Sequence, residues 1–259
     1  MANIIPKKIN IFGMNVNPLT MDEAVDYVST WVDYAESNCK FIVTPNVNCV
    51  VLFSRNEAYR DSFANASMVV VDGRPVVWSA RLMGEKIPGT VTGSDLVPAI
   101  FQRYHDKGDA DLKVFLLGAM PGVAEVAASN IEKQYQHVKI KGVYSPPFGF
   151  EKDSVECELI CKMILDSGAE LLLIGLGAPK QENWVNQYAS KLNVKVAICV
   201  GATIDFLAGN KPRAPKWMTN MGLEWMFRMT TEPRRLVRRY ACDAWIFPRL
   251  VWKEWKSRR

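Results

Sequence analysis

The chain has 259 residues, of which 49% are hydrophobic and 23% charged, so it is long and apolar enough to fold around a substantial core. With 16 Gly and 14 Pro, neither residue is in excess, which argues against a disordered or fibrous chain. No run of about 18 apolar residues is present, so we expect no segment that spans a bilayer. The first stretch, MANIIPKKINIFGMNV, lacks the basic-then-apolar layout of a signal peptide.

The cysteines favour a reducing compartment. They form no C-x-x-C pair, and several lie in apolar runs, as Cys199 does in AICVGA. We therefore predict buried, reduced thiols in a cytosolic protein and no structural zinc site. The six are Cys39, Cys49, Cys157, Cys161, Cys199 and Cys242.

Charge is distributed unevenly along the chain. The net charge is +5, but residues 211–259 hold 13 Lys/Arg against 4 Asp/Glu, a net +9 that leaves −4 for residues 1–210. The same C-terminal segment contains five of the eight tryptophans. A mildly acidic body thus precedes a basic, aromatic tail.

The body alternates short apolar runs with longer amphipathic segments, the pattern of β-α units around a mostly parallel sheet. Runs continuously rich in Val, Ile and Leu predict strands with helices on both faces of the sheet. We place one α/β body at 1–210, with a soft boundary near 108–111, and a helical appendage at 211–259. The predicted strands are 41–44, 68–71, 114–118, 139–144, 171–175 and 196–201.

In sheets of this kind, ligands bind beyond the carboxyl ends of the strands, so the loops that follow the strands hold the candidate site. Asp72 directly follows MVVV and precedes Gly73. A carboxylate at this place suits a general base. An ordinary Asp-Gly turn is the alternative.

The segment IGLGAPKQE offers Gly175 and Gly177 at a strand end, followed by a helix start that suits a phosphate. Lys180 adds positive charge, and Gln181 and Glu182 are candidates to bind a base or ribose. Neither the P-loop pattern nor a full G-x-G-x-x-G is present. Tight turns without a ligand are the alternative for these glycines, and LGAMPG (117–122) is a similar but weaker candidate.

Two further loops follow predicted strands. TPNVN places Thr44, Asn46 and Asn48 after the first strand, as ligand contacts or as a helix N-cap. In VGATIDF, Gly201 ends a strand and Asp205 lies one turn into a helix. Asp205 either binds a ligand hydroxyl or complements the helix dipole.

Metal binding is poorly supported. Asp109 and Asp111 spell D-x-D, but they lie in a polar loop before a strand, at the wrong end for a ligand. The two histidines, His105 and His137, have polar surroundings that favour neither a metal site nor a Ser-His triad. We expect neither a metal nor a cofactor.

The tail has three interpretations. A helix beginning at Pro233 would carry Arg234, Arg235, Arg238 and Arg239 on one face, and Trp252 and Trp255 follow among basic residues. Such a helix suits an anionic membrane surface. Packing against the body with solvated arginines is equally compatible. Nucleic-acid binding is less so, because no nucleic-acid fold motif accompanies the charge.

Together these motifs resemble one family, the WecG/TagA/CpsF glycosyltransferases of bacterial surface polysaccharides. The matching pieces run in order over nearly the whole chain, and the pair GAPKQE and AGNKPRAPKWM…GLEW is highly specific. The pieces are TPNVN, VVVDGRPVVWSARLMG, TGSDL, FLLGAMPGV, LLLIGLGAPKQE, VGATIDFLAGNKPRAPKWM, GLEWMFR and EPRRLVRRY.

The resemblance implies a metal-independent, inverting enzyme that transfers a sugar from a UDP-sugar to a sugar on polyprenyl diphosphate. It implies a Rossmann-like body and an appendage that completes the active site at the inner face of the cell membrane. By resemblance, Asp72 is the base, Thr44 and Asn46 lie at the site, and Gln181 lies on the nucleotide side. Arg228, Arg235 and Arg238 match the appendage arginines that meet the diphosphate. Arg213, in the RAPKWM block, is a further expected substrate-binding residue.

One position departs from the family pattern, because this chain has Thr90 where many members carry Arg before the TGSDL-like motif. The DGRPVVW variant is closer to exopolysaccharide members than to teichoic-acid ones, so the donor is N-acetylmannosamine-type or glucose-type. A nucleotide-dependent oxidoreductase and a non-enzymatic docking module are the rival interpretations. Exposed tail surface is also compatible with a homo-oligomer.

Overall fold

The computed structural model describes residues 7–34 and 39–259 and contains a parallel sheet of six strands. In spatial order the strands are β4 Met68–Val69, β3 Lys40–Val43, β8 Val196–Cys199, β7 Leu171–Gly175, β5 Leu112–Gly118 and β6 Val138–Tyr144. All six strands predicted from the sequence belong to it, although the MVVV run is a strand only over its first two residues. The predicted soft boundary near 108–111 falls just before β5, and the sheet takes strands from both sides of it.

The sheet separates two apolar cores, because successive side chains of a strand point to opposite faces. In β7, Leu172 and Ile174 enter one core, and Leu171 and Leu173 enter the other. The first core is covered by α2 Val47–Phe53, α3 Glu57–Asn65, α4 Arg74–Leu82, α7 Ser154–Ser167 and α8 Lys180–Tyr188. The second is covered by α1 Met21–Tyr34, α5 Gly93–Lys107, α6 Val123–Gln134 and α9 Thr203–Leu207. This is the predicted Rossmann-like arrangement, with helices on both faces.

A small antiparallel hairpin that the sequence patterns did not predict precedes the sheet. Its strands, β1 Ile9–Ile11 and β2 Met14–Val16, are joined by Phe12 and Gly13, which both have positive φ, as a tight two-residue hairpin turn requires. Asn17 joins the hairpin to β4, because its side-chain oxygen accepts a hydrogen bond from the Val69 N–H at 2.8 Å.

The C-terminal segment forms α10 Lys216–Asn220, α11 Glu224–Thr231 and α12 Pro233–Ser257, and α12 begins at Pro233 as predicted. On α12, Leu236 is fully buried and Phe247 joins the core of the body, where its ring lies 5.7 Å from the ring of Phe12. Near the end of the helix, the Arg258 guanidinium lies 2.8 Å from Glu85 of the body. The appendage therefore packs on the body, chiefly beside α2. The division of the chain at residue 210 stays a prediction.

Helices with the length and the apolar character needed to cross a bilayer are not found within 7–34 or 39–259.

Candidate active site

A cleft of about 620 Å³ opens at the carboxyl ends of the parallel strands, between the body and the appendage. The loops after β3, β4, β7 and β8 form one wall, and α11 and α12 form the other. This is where parallel sheets bind ligands. Eleven of the predicted site residues line the cleft: Thr44, Asn46, Asn48, Asp72, Gly73, Gly177, Gln181, Glu182, Gly201, Asp205 and Arg228. The weaker candidate loop, LGAMPG, does not contribute to it.

Asp72 lies half-buried in the wall of this cleft. Its backbone N–H donates to the carbonyl of Pro45 at 2.9 Å, which ties the end of β4 to the loop after β3. Gly73 follows with φ +116°, a conformation that side chains disfavour, and it is the N-cap of α4. The Asp-Gly pair therefore makes the turn of the alternative interpretation and also places a carboxylate in the cleft.

The surroundings of Asp72 raise its pKa to about 7. Burial is the largest cause, since it disfavours the charged form, and the Glu224 carboxylate acts in the same direction. The Arg228 guanidinium opposes both. Glu224 and Arg228 belong to the appendage, so α11 helps to set the protonation of a body residue. A carboxylate with a pKa near 7 suits general-base work at neutral pH.

Gln181 joins the two glycine loops of the cleft. Its side-chain oxygen accepts the N–H groups of Gly177 and Gly201, each at 3.2 Å, and its amide nitrogen donates to Glu182 at 2.8 Å. Gln181 is only 5% exposed. Most of its hydrogen-bonding capacity is thus used within the protein, and the side chain acts as a clamp between the loops after β7 and β8.

Glu182 lies beneath that clamp and is 2% exposed. Burial raises its pKa to about 7, although the hydrogen bond from Gln181 favours the ionised form. The second carboxylate oxygen has no partner in the part of the chain that the structure describes. Gln181 and Glu182 were predicted as contacts for a base or ribose, and their hydrogen bonds here are made within the protein.

The alternatives that give a residue a structural role are confirmed at Gly175 and Asn46, and Thr44 and Asp205 have other partners within the protein. A side chain at Gly175 would meet the carbonyl oxygen of Gly201 at 2.9 Å, so close backbone approach requires this glycine. Asn46 is the N-cap of α2 and accepts the Cys49 N–H at 3.3 Å. The Thr44 hydroxyl donates to the carbonyl of Cys199 at 3.3 Å, and Asp205 lies 3.4 Å from the Lys211 ammonium.

Three predicted site residues whose side chains the structure describes, Lys180, Arg213 and Arg238, are not among those that line the cleft. The Lys180 ammonium lies 3.0 Å from Glu151 and 4.4 Å from the centre of the Phe148 ring. Arg213 binds Asp95 at 2.7 Å and also contacts Ser94, which does line the cleft. Arg238 is exposed. The backbone of Arg235 is part of α12, but its side chain lies outside what the structure describes.

Other residues of the cleft were missed by the sequence reasoning. Many of them come from the appendage, and Thr90, noted only as a departure from the family pattern, also lines the cleft. The sequence did contain a signal for Asp243, because it is the only acidic residue within 233–253. The missed appendage residues are Lys211, Thr219, Gly222, Glu224, Trp225, Arg239, Tyr240, Asp243, Ala244, Phe247 and Pro248.

The D-x-D pair lies at the opposite end of β5 from the cleft. Asp109 pairs with Lys107 at 3.4 Å, and Asp111 with His137 at 3.1 Å, as expected for a solvated loop. Among the described residues, no three His, Cys, Asp or Glu side chains lie together as a metal site would require. Metal-independence of the reaction stays a prediction.

The parallel sheet, the cleft at its strand ends and the carboxylate poised near neutral pH define an enzyme with a Rossmann-like body. Residues 9–259 match the model of the glycosyl transferase WecG/TagA/CpsF family, and the chain belongs to that family. It is therefore a glycosyltransferase, as the resemblance implied. This membership leaves the oxidoreductase and the non-enzymatic docking module without support.

Two relatives from Staphylococcus aureus illustrate the similarity. Each is an N-acetylglucosaminyldiphosphoundecaprenol N-acetyl-beta-D-mannosaminyltransferase. The protein of strain MRSA252 is 28% identical over 231 residues, which cover 89% of this chain and 87% of the relative. The protein of strain NCTC 8325 is 27% identical over the same length and coverage.

Proposed function

We propose that the protein is an inverting, metal-independent transferase that moves a sugar from a UDP-sugar to a sugar linked to polyprenyl diphosphate. The relatives' name specifies an N-acetyl-beta-D-mannosaminyl group, so the donor sugar is N-acetylmannosamine-type or, given the DGRPVVW variant, glucose-type. One observation carries the proposal. Asp72 of the body shares a cleft with Arg228 of the appendage, and the charges of α11 act on the Asp72 carboxylate.

In this reaction, the Asp72 carboxylate takes the proton from an acceptor hydroxyl as that oxygen attacks the anomeric carbon. The new glycosidic bond forms while the bond from that carbon to the diphosphate breaks, and UDP leaves with the bonding electron pair. Attack from the side opposite the leaving group inverts the anomeric configuration. The base must be ionised before the proton is transferred, which a pKa of about 7 permits at neutral pH.

Arg228 supplies charge for the leaving diphosphate. Its Nε is buried without a hydrogen-bond partner among the described residues, and its guanidinium lies 5.8 Å from the centre of the Phe206 ring. A guanidinium that the ring supports and that lacks a protein partner for one donor is preorganised for an anionic oxygen. Arg239 on α12 lines the same cleft, and its Nε likewise has no partner within the described part.

The nucleotide is placed at the loops held by Gln181. Gly177 and Gly201 have positive φ, of 78° and 55°, and their loops lie where parallel sheets accept nucleotides. In this assignment Gln181 is a positioning residue, because it orients the two loops through their backbone N–H groups.

Replacing Gln181 by alanine is expected to weaken UDP binding about tenfold, because it removes hydrogen bonds worth roughly 0.5–1.5 kcal/mol each from both loops. Isothermal titration calorimetry measures the effect. Gln187→Ala, an exposed change on the same helix, is the matched control and should bind UDP as the wild type does. Equal affinities for UDP in the two variants would contradict the clamp role.

Calorimetric titration with UDP, with and without EDTA, tests the proposed function directly, with NAD as a control. We expect UDP binding that survives EDTA and no binding of NAD. Loss of UDP binding with EDTA would show that UDP binding requires a metal and would contradict the metal-independent assignment. The absence of UDP binding under both conditions would refute the donor assignment.

The proposed location is the cytoplasmic side of the cell membrane, with the appendage resting on the anionic surface. Trp217, Trp245 and Trp252 are 60%, 69% and 64% exposed. Arg249 stacks on Trp245 with its guanidinium carbon 3.6 Å from the ring centre. Exposed tryptophans beside cations favour the headgroup region of a bilayer.

The double variant Trp245→Ser/Trp252→Ser is expected to lose most of its binding to vesicles that contain anionic phosphatidylglycerol, because these side chains supply the exposed apolar area. Co-sedimentation measures it, and Tyr34→Ser, an exposed aromatic of the body, is the control. A wild type that stays in the supernatant would contradict membrane binding. If analytical sedimentation then shows a homo-oligomer that the double variant disrupts, the tryptophan surface is an interface between copies of this chain.

A further inference from the structure

Asp243 on α12 is a buried carboxylate. It is 5% exposed and lines the cleft, and its Oδ2 receives no hydrogen bond from the described residues. Within the same part of the chain it forms no ion pair either. Arg239 and Arg55 are near enough to lower its pKa, but burial outweighs them and the pKa is raised. An unpartnered carboxylate costs stability when it is buried, so the unfilled acceptor points to a ligand in the cleft.

The position of Asp243 in the fold indicates which ligand this is. In the sheet, β4 and β3 are neighbours, so the loop after β4, which carries Asp72, lies beside the loop after β3. The glycine loops after β8 and β7 lie further along the same edge of the sheet. Helix α12 packs against α2, which directly follows β3. Asp243 therefore lies beside the elements that follow β3, the strand that pairs directly with β4 and so adjoins the loop of Asp72. The proposed base acts on the acceptor, so the ligand on this side of the cleft is the acceptor.

The chemistry of the surrounding wall fits a sugar. A carboxylate accepts hydrogen bonds from hydroxyl and amide N–H groups, which a sugar ring presents at its edge. Tyr240, Phe247 and Pro248 line the cleft beside it and offer apolar surface to the C–H groups of a ring. A diphosphate does not fit as the ligand of Asp243, because it would bring negative charge next to a carboxylate.

We propose that Asp243 binds the acceptor sugar by accepting hydrogen bonds from its hydroxyl or amide groups, and so contributes to the choice of acceptor. The inference rests on the proposed function and adds to it a residue that selects the acceptor. It assigns to α12 a role in recognising the sugar, distinct from the diphosphate contacts that its arginines are expected to make.

Asp243→Asn keeps the size of the side chain and removes its charge. We expect the KM for a short-chain N-acetylglucosaminyl-diphosphate lipid to rise at least tenfold, while the Kd for UDP changes less than twofold. We also expect an unchanged or higher Tm, because the variant no longer buries an unpartnered charge. Asp166→Asn, an exposed change on α7, is the control and should leave all three quantities unchanged.

Acceptors that lack single hydroxyl groups separate recognition from a general effect. Wild-type protein should lose activity with at least one deoxy acceptor, and Asp243→Asn should not distinguish that acceptor from the parent sugar. An acceptor KM that stays at the wild-type value, or a variant that penalises every deoxy acceptor as the wild type does, would overturn the assignment. A wild-type chain that binds no UDP and transfers no sugar would refute the proposed function itself, and this inference with it.

Discussion

Asp72→Asn is expected to lower kcat by roughly 10²–10⁴-fold, the usual contribution of a positioned general base. The amide keeps the shape of the side chain but does not take a proton. UDP affinity should change little, because the proposed nucleotide loops follow β7 and β8 rather than β4. Steady-state transfer kinetics and UDP calorimetry on the same preparation measure the two effects.

The pH dependence of the same pair of proteins gives a second readout. For the wild type, kcat/KM should rise with pH and level off above a midpoint near 7, because Asp72 must be ionised to accept a proton and its pKa is raised to about 7. The Asn variant should lose this rise. Full activity in the variant, or a wild-type profile flat between pH 5 and 8, would contradict the base assignment.

Stability should respond in the opposite sense. The folded state holds the Asp72 proton more tightly than the unfolded chain, whose Asp pKa is near 3.8, so the contribution of this residue to stability falls as pH rises toward 7. Asp72→Asn should therefore have a higher Tm than the wild type at pH 8 and a similar one at pH 4. Active sites commonly lower the stability of an enzyme in the protonation state that catalysis requires.

Arg228→Ala is expected to lower kcat by roughly 10²–10³-fold, the cost of removing one preorganised donor from a developing anion. The loss should fall on kcat more than on the acceptor KM, because the leaving diphosphate gains charge in the transition state. Removing this cation should also raise the pKa of Asp72 further, which shifts the activity profile to higher pH.

Two arginines of α12 serve as comparisons for Arg228. Arg234 is exposed and does not line the cleft, so Arg234→Ala should keep wild-type kcat. By resemblance, Arg238 is expected to meet the diphosphate, which predicts a large loss of kcat on Arg238→Ala, whereas its exposure in the structure predicts a small one. Equal kcat values for Arg228→Ala and Arg234→Ala would contradict the role of Arg228.

The inner strands of the sheet were predictable because they are buried on both faces and are therefore continuous apolar runs, as LLLIG is in β7. The β1–β2 hairpin was not, because each strand has only three residues and its turn places Phe12 at φ +54°, where a glycine is usual. Short elements of this kind take their stability from contacts distant in sequence, here those of Asn17 with β4.

The body side of the cleft was predictable from the rule that ligands lie beyond strand ends, and Asp72, Gly177 and Gly201 all line it. The direction in which each side chain points was not predictable from the sequence. Lys180 follows the glycine loop in sequence, yet its ammonium binds Glu151. Asp243 enters the cleft only because α12 packs against α2, and one sequence does not reveal which helix faces which.

The most direct test of the account is transfer itself, measured by mass spectrometry. Protein in EDTA is mixed with a short-chain N-acetylglucosaminyl-diphosphate lipid and, separately, UDP-N-acetylmannosamine or UDP-glucose. We expect one added sugar, in β linkage if the donor is α-linked, from at least one donor, and at least a hundredfold less product with Asp72→Asn. Hydrolysis of the donor without transfer, transfer with retained configuration, or product that appears only when a metal is restored would contradict it.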